Sequence, residues 1–277
     1  MKARIISLVS ALLLLFVMAG GCSPSGSTSL NDVLKILPDG VGNVFVADWG
    51  AMNADSNLKE LWTAYSEKMD TASMGEFLGV NPQDVELMAL ASGGSAYYIV
   101  LKGKFDMEKI RTVMQGQQLE RQNDYLRVEV WAGSASIAFI RDMMVVAMSV
   151  DSLKTMIRLH EGEEKDSFYN DKDFNSIIGK LPGGIFTFLS TGGGYGATCT
   201  GISFGVLSAA SLSYSRYYLF TDTTASATGK TDIESDITED TPGTIESVLQ
   251  KNNMVEVKGN IGIEDFMDSS YFSDMGF

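Results

Sequence analysis

The chain has 277 residues, among them 21 Lys and Arg, 35 Asp and Glu and one His, for a formal net charge of −14 at pH 7. So acidic a protein repels nucleic acid and anionic lipid headgroups, which argues against both as charge-recruited partners. Hydrophobic residues make up 45% of it, enough for a packed core and against disorder, and the length suits one large domain or two small ones.

At the N-terminus, Lys2 and Arg4 are the only charges before Asp32, and an apolar run from Ile5 to Met18 follows them. The run is shorter than the ~20 apolar residues needed to span a bilayer. With its positive start and small-residue end it reads as a secretory signal peptide over 1–21. Gly20 and Gly21 do not continue a helix, which argues against an uncleaved membrane anchor. Ala19-Gly20-Gly21-Cys22 resembles the lipobox of bacterial lipoproteins. The resemblance implies cleavage after Gly21 and a lipid anchor, palmitate included, on Cys22. Ala19 departs from the leucine usual in that family, and Ala19-Gly20-Gly21 also satisfies the small-x-small rule of ordinary secretion, which keeps a secreted soluble form as the rival. Residues 22–30, rich in Ser, Gly and Pro, read as a flexible tether. Loss of Lys2 and Arg4 takes the net charge from −14 to about −16, so attachment rests on the lipid and not on a basic patch.

Next come a short amphipathic lead-in over 30–36, a Pro38-Asp39-Gly40 turn and a β-rich run over 44–49. Leu58, Leu61, Trp62, Tyr65 and Met69 mark a helix capped from 55–57, and 82–91 reads as a second, shorter one. A strand is expected over 96–103, a helix capped by Asp106 over 106–117, and a strand over 125–133 with Leu126, Val128 and Val130 on its buried face. Two more strands meet at a tight Arg141-Asp142 turn. Helices over 151–161 and 173–180 complete this part.

At 181 a pattern returns: "LPGGIFTFLSTGG" echoes the "LPDGVGNVFVADWG" of 37–50. Thr241-Pro242 opens an expected helix over 241–253, followed by a strand over 255–263, the order of 106–133 again. The second copy would then stop short of a final hairpin and helix. Two related α+β modules are therefore expected, 31–180 and a shorter 181–277, with mostly antiparallel sheets and helices packed on one face. A doubly wound parallel sheet would need strict strand–helix alternation, which 125–148 breaks. The layout resembles secreted bacterial families of unknown function whose modules open with Leu-Pro and a strand; that resemblance carries no site.

Chemistry-bearing residues are few. With Cys22 lipidated, Cys199 is alone and no internal disulfide forms; it reads as a small buried apolar residue. His160 falls on the face of Leu153, Met156 and Ile157, in the last turn of a helix capped by Asp151 or Ser152. Gly192-Gly193-Gly194-Tyr195-Gly196-Ala197 fits G-x-G-x-x-A, but small residues and glycines follow it where a dinucleotide site needs a helix. It reads as a loop or a close backbone approach. From Asp232 a calcium loop would place Gly at 237 and Glu at 243, where Ile and Gly stand, so 232–237 reads as a strand with an acidic face, leaving only a low-affinity calcium site with Glu239 and Asp240 in reserve. Tyr214, Arg216, Tyr218 and Phe220 share one strand face, which either packs beneath a helix or, if exposed, is the candidate binding surface.

No cofactor, catalytic residue or metal ligand is indicated. The expectation is a non-enzymatic protein, lipid-anchored to a cell membrane on its extracytoplasmic face, with a binding or assembly role and a protein partner in the envelope. The alternatives are a ligand-binding lipoprotein of a transporter and a hydrolase that uses two carboxylates. The anchor is directly testable: Cys22→Ser should release the chain from membranes, and a variant that still sediments with them after a high-salt wash would defeat the assignment.

Overall fold

The computed structural model describes residues 25–237 and 243–269. In chain order its elements are α1 (Ser25–Ile36), β1 (Asn43–Ala47), α2 (Trp49–Ala54), α3 (Lys59–Lys68), α4 (Thr71–Leu78), β2 (Val85–Gly93), β3 (Ala96–Gly103), α5 (Met107–Gly116), β4 (Glu120–Arg121), β5 (Val130–Ala132), β6 (Ser136–Ile140) and β7 (Met143–Ala147). Then come α6 (Val150–Glu161), α7 (Lys172–Ile178), β8 (Phe186–Thr191), β9 (Cys199–Ser208), β10 (Ser211–Leu219), α8 (Thr223–Asp236), β11 (Thr244–Lys251), β12 (Met254–Gly262) and α9 (Ile263–Asp268). The class is α+β, as expected, and the described strands form one antiparallel sheet in the order β11-β12-β10-β9-β8-β1-β2-β3-β7-β6-β5-β4.

Helices cover both faces of this sheet and not one. The cause lies in the central strands, which are apolar at consecutive positions and so must bury both sides. In β1, Phe45 and Ala47 enter one core while Val44 and Val46 enter the other; in β2, Val85 and Met88 oppose Leu87 and Ala89. The first core is closed by α2–α5, α8 and α9, through side chains such as Trp49, Leu61, Ile110, Ile233 and Phe266. The second is closed by α1, α6 and α7, through Leu34, Met156 and Ile177. In the first core Tyr65 is fully buried, and its hydroxyl accepts from Trp49 Nε1 at 3.1 Å and donates to Met88 Sδ at 3.9 Å.

Pairing of β1 with β8 joins 31–180 to 181–269 in one sheet, with Phe45 opposite Phe188 and Val44 opposite Leu189. Both cores draw on both halves. Outward from this seam the topology repeats. Each side has a three-stranded meander (β1–β3, β8–β10), then a helix (α5, α8), then a hairpin whose second strand pairs with the third meander strand (β6–β7 on β3, β11–β12 on β10). The expected alignment of the copies is thus corrected. The counterpart of α5 is α8, not 241–253, and the second half has both its hairpin and a following helix. The closing helices break the match, since α6 lies on the second core and α9 on the first.

Four local expectations change for identifiable reasons. Residues 82–91 are a 3₁₀ turn, Pro82–Asp84, and then β2; a strand buried on both faces has no period-two pattern to separate it from a short helix. Within 125–133 only β5 is strand, because Leu126 and Arg127 both adopt positive φ (51° and 67°) and turn the chain between Tyr125 and Val128. Residues 244–251 form β11 and not a helix. A bulge between Ile245 and Ser247 lets Ile245 and Val248, three apart, reach the same core, and that spacing mimics a helix. Residues 232–236 belong to α8, which Asp222 caps through Ala225 N at 2.8 Å. The described α1 also starts inside the expected tether, at Ser25. Gly21, Cys22, Glu239, Asp240, Thr241 and Pro242 lie outside the described residues.

Helix α8 docks through small residues. Ser226, Gly229 and Ile233 are its buried positions. Ser226 Oγ donates to Asn252 O at 2.8 Å, and Gln250 Nε2 donates back to Ser226 Oγ at 2.8 Å. A Cβ on Gly229 would stand 2.3 Å from Cζ of the buried Phe220 ring. Gly229→Ala should therefore destabilise the protein by about 1–2 kcal/mol in urea titration, the overpacking outweighing the ~1 kcal/mol that alanine adds to an exposed helix. A stabilised variant would show that α8 does not rest on Phe220.

Candidate functional site

Cross-strand register places two rows of side chains next to each other on the first-core face. One row reads Asn43, Ser190, Thr200 and Tyr218 across β1, β8, β9 and β10. The other reads Phe45, Phe188, Ile202, Arg216, Val257 and Val248 across β1, β8, β9, β10, β12 and β11. Arg216 is the one cation in an otherwise apolar row. Above these rows lies a pocket of about 380 Å³ lined by Asn43, Phe188, Ser190, Gly193, Thr200, Ile202 and Arg216.

Arg216 has no conventional partner among the described residues: its guanidinium donates no hydrogen bond and joins no ion pair. Its Nε is sealed from solvent with its hydrogen unmatched, which leaves the two terminal nitrogens as the reachable donors. The guanidinium carbon sits 4.7 Å from the centre of the Tyr218 ring, a cation–π contact with the residue two positions along the same strand. Tyr195 meets Tyr218 edge-on at 5.6 Å and brings the glycine-rich loop to the rim. Ser190 Oγ donates to Asn43 Oδ1 at 2.7 Å, and Thr200 Oγ1 donates to Gly192 O at 3.0 Å. The amide nitrogen of Asn43 is left as a further neutral donor.

The glycine loop is a close approach. Gly193 has φ +149°, and a Cβ there would fall 1.6 Å from Thr200 Oγ1. The segment carries the wall of the pocket and leads into β9, not into the helix that a dinucleotide site would require.

Of the candidate binding surface, only Arg216 reaches this pocket. Tyr214, Tyr218 and Phe220 are 5%, 3% and 1% exposed, so the packed reading of this face holds for them and the alternative of an aromatic binding surface is corrected. Phe204 and α9 pack on the first core beside Tyr214, Tyr195 covers Tyr218, and α8 covers Phe220. Asn43, Phe188, Ser190, Thr200 and Ile202 have no sequence signal, since only the register of four strands brings them together.

Four other reactive side chains are engaged within the fold. Burial pushes the Cys199 thiol up to about 12, against thiolate formation. His160 ends α6, which Ser149 caps in place of Asp151 or Ser152, and its Nδ1 lies 2.8 Å from Glu161. Burial raises the Asp48 carboxyl, with a further push from Glu86, yet its Oδ1 is taken by Ala51 N as the cap of α2. Glu129 is held below the usual carboxylate range by the Arg111 guanidinium, which binds it at 3.0 and 2.7 Å. A second cleft of about 780 Å³ lies over Tyr217, Leu219 and Met254, between α7 and the β11–β12 turn. Among the described residues no three His, Cys, Asp or Glu side chains converge on a metal position, and no helix is long and apolar enough to cross a membrane.

No family model and no curated protein matches the chain. A solved structure does: the protein named TP0453, in its crystal form I, superposes with a TM-score of 0.52 at 8% identity, covering 85% of this chain and 94% of that one. At that identity the likeness shows the fold alone.

A sealed, unmatched donor costs about 1–3 kcal/mol, and the cation–π contact returns about 0.5–2 kcal/mol. Arg216→Met, which keeps the apolar stem, should therefore unfold at the wild-type urea midpoint or up to about 1 kcal/mol beyond it. A loss above about 2 kcal/mol would mark the guanidinium as structural.

Proposed function

We propose that the chain is a lipid-anchored bacterial protein, held at the extracytoplasmic face of a membrane through Cys22, that acts by binding and not by catalysis. The observation that carries the binding role is Arg216: a cation set into an apolar row, with no hydrogen bond or ion pair among the described residues, at the edge of a pocket. A charge left without an internal partner costs stability unless something outside the chain matches it. Among the described residues the pocket lining offers donors and apolar contact, but no hydroxyl or thiol beside a base, the pairing that nucleophilic catalysis uses. The residues before the described fold support the anchor through their likeness to a lipobox. In the assembly form of this reading, the anchor holds the pocket near a membrane-bound source of ligand or a protein partner in the envelope.

Native mass spectrometry of the chain extracted from membranes in mild detergent tests both halves. The expected spectrum has a covalent lipid increment that maps to Cys22 and a non-covalent companion released on denaturation. An unmodified Cys22 overturns the anchor, and a chain that carries neither small molecule nor protein overturns the binding role.

A further inference from the structure

We propose that the pocket at Arg216 recognises a small monocarboxylate with a flat apolar body. The inference rests on the binding role given above and adds the chemical class of the ligand.

Charge sets the class. Among the described residues the pocket's lining has one cation and no acidic side chain, so one negative charge neutralises it. A phosphate dianion would leave a charge unmatched in a partly apolar site, inside a chain that already carries −14. That net charge repels anions at long range. Selectivity must therefore come from a short, desolvated contact, which a guanidinium supplies best to a carboxylate through two parallel N–H donors. Tyr218 holds the guanidinium plane in place, so little side-chain freedom is lost on binding.

Register sets the shape. From Arg216 the same row runs to Ile202 and Phe188, an apolar strip two strands wide along which a flat body lies. Asn43 and Ser190 border that strip in the neighbouring row. They offer neutral polar contacts to a substituent on one edge of the ligand. A volume of about 380 Å³ falls at the small end of ligand sites.

The test is ligand-observed NMR titration of the full-length protein at pH 7 with naphthoate, with its neutral isostere naphthamide, and with inorganic phosphate. Wild type is expected to bind naphthoate at least about tenfold more tightly than naphthamide or phosphate, the discrimination of one charge-assisted contact. Arg216→Met should lose that preference and Arg216→Lys should keep only part of it, both with urea midpoints no lower than that of the wild type. Phosphate bound more tightly than naphthoate overturns the monocarboxylate. Equal binding of naphthoate and naphthamide overturns the anion class and leaves a binding protein with a neutral ligand. Naphthoate binding that survives Arg216→Met places the site elsewhere and overturns the proposal. No binding of any probe, together with a chain that carries no companion from the membrane, defeats the binding role as well.

Discussion

The antiparallel pairing of β1 with β8 is the contact on which the rest of the molecule depends. It is five residue pairs long, from Asn43 with Ser190 to Ala47 with Phe186, and it fuses two meanders that would otherwise each expose an edge. Both cores are continuous across it. Phe45 lies 4.8 Å from Phe188 and 6.0 Å from Phe186 by ring centres, so the aromatic packing of the first core bridges the same line as the hydrogen bonds. Neither half has a complete core without the other, because the two repeated topologies share both cores. The pocket is a product of the same seam, because Asn43 comes from one half and the rest of its lining from the other.

Much of this was legible in the residues. Strand β3 occupies the expected 96–103, and Asp106 caps α5, with Ile110 and Met114 buried as their spacing requires. The Leu-Pro echo at 37 and 181 precedes the two strands that form the seam. Where the reading failed, the chain uses devices that erase periodicity. β2 buries both faces and so does not alternate. β11 carries a bulge that imposes helical spacing on a strand. α8 is held by Ser226 and Gly229, whose value is their smallness, so its sequence has no apolar stripe to find. Leu126 and Arg127 turn the chain with left-handed backbone that glycine or asparagine would normally supply.

For the site, the sequence singled out two residues of the seven, Arg216 and Gly193. Arg216 stood out as a cation among aromatics, but the aromatics beside it proved to be core; Gly193 read only as a loop or close backbone approach, and the five remaining lining residues come from strands that local pattern cannot pair. A register is a long-range property: the contact of Ser190 with Asn43 spans 147 positions. The fold-level likeness to TP0453 does not supply the missing information, since at 8% identity it fixes an arrangement of strands and says nothing of the side chains on them.

That span also sets the order in which the molecule can be made. Closing a loop of 147 residues carries an entropic cost of roughly 4 kcal/mol from chain length alone, so the seam forms late compared with the hairpins on either side of it. Until β8 docks, β1 has β2 on one flank and no strand on the other. Its open flank presents Val44, Phe45 and Val46 beside unpaired backbone groups, the kind of edge that recruits other chains. The interval between pairing of the first meander and docking of Phe186–Thr191 is thus the one in which this edge stands open to other chains.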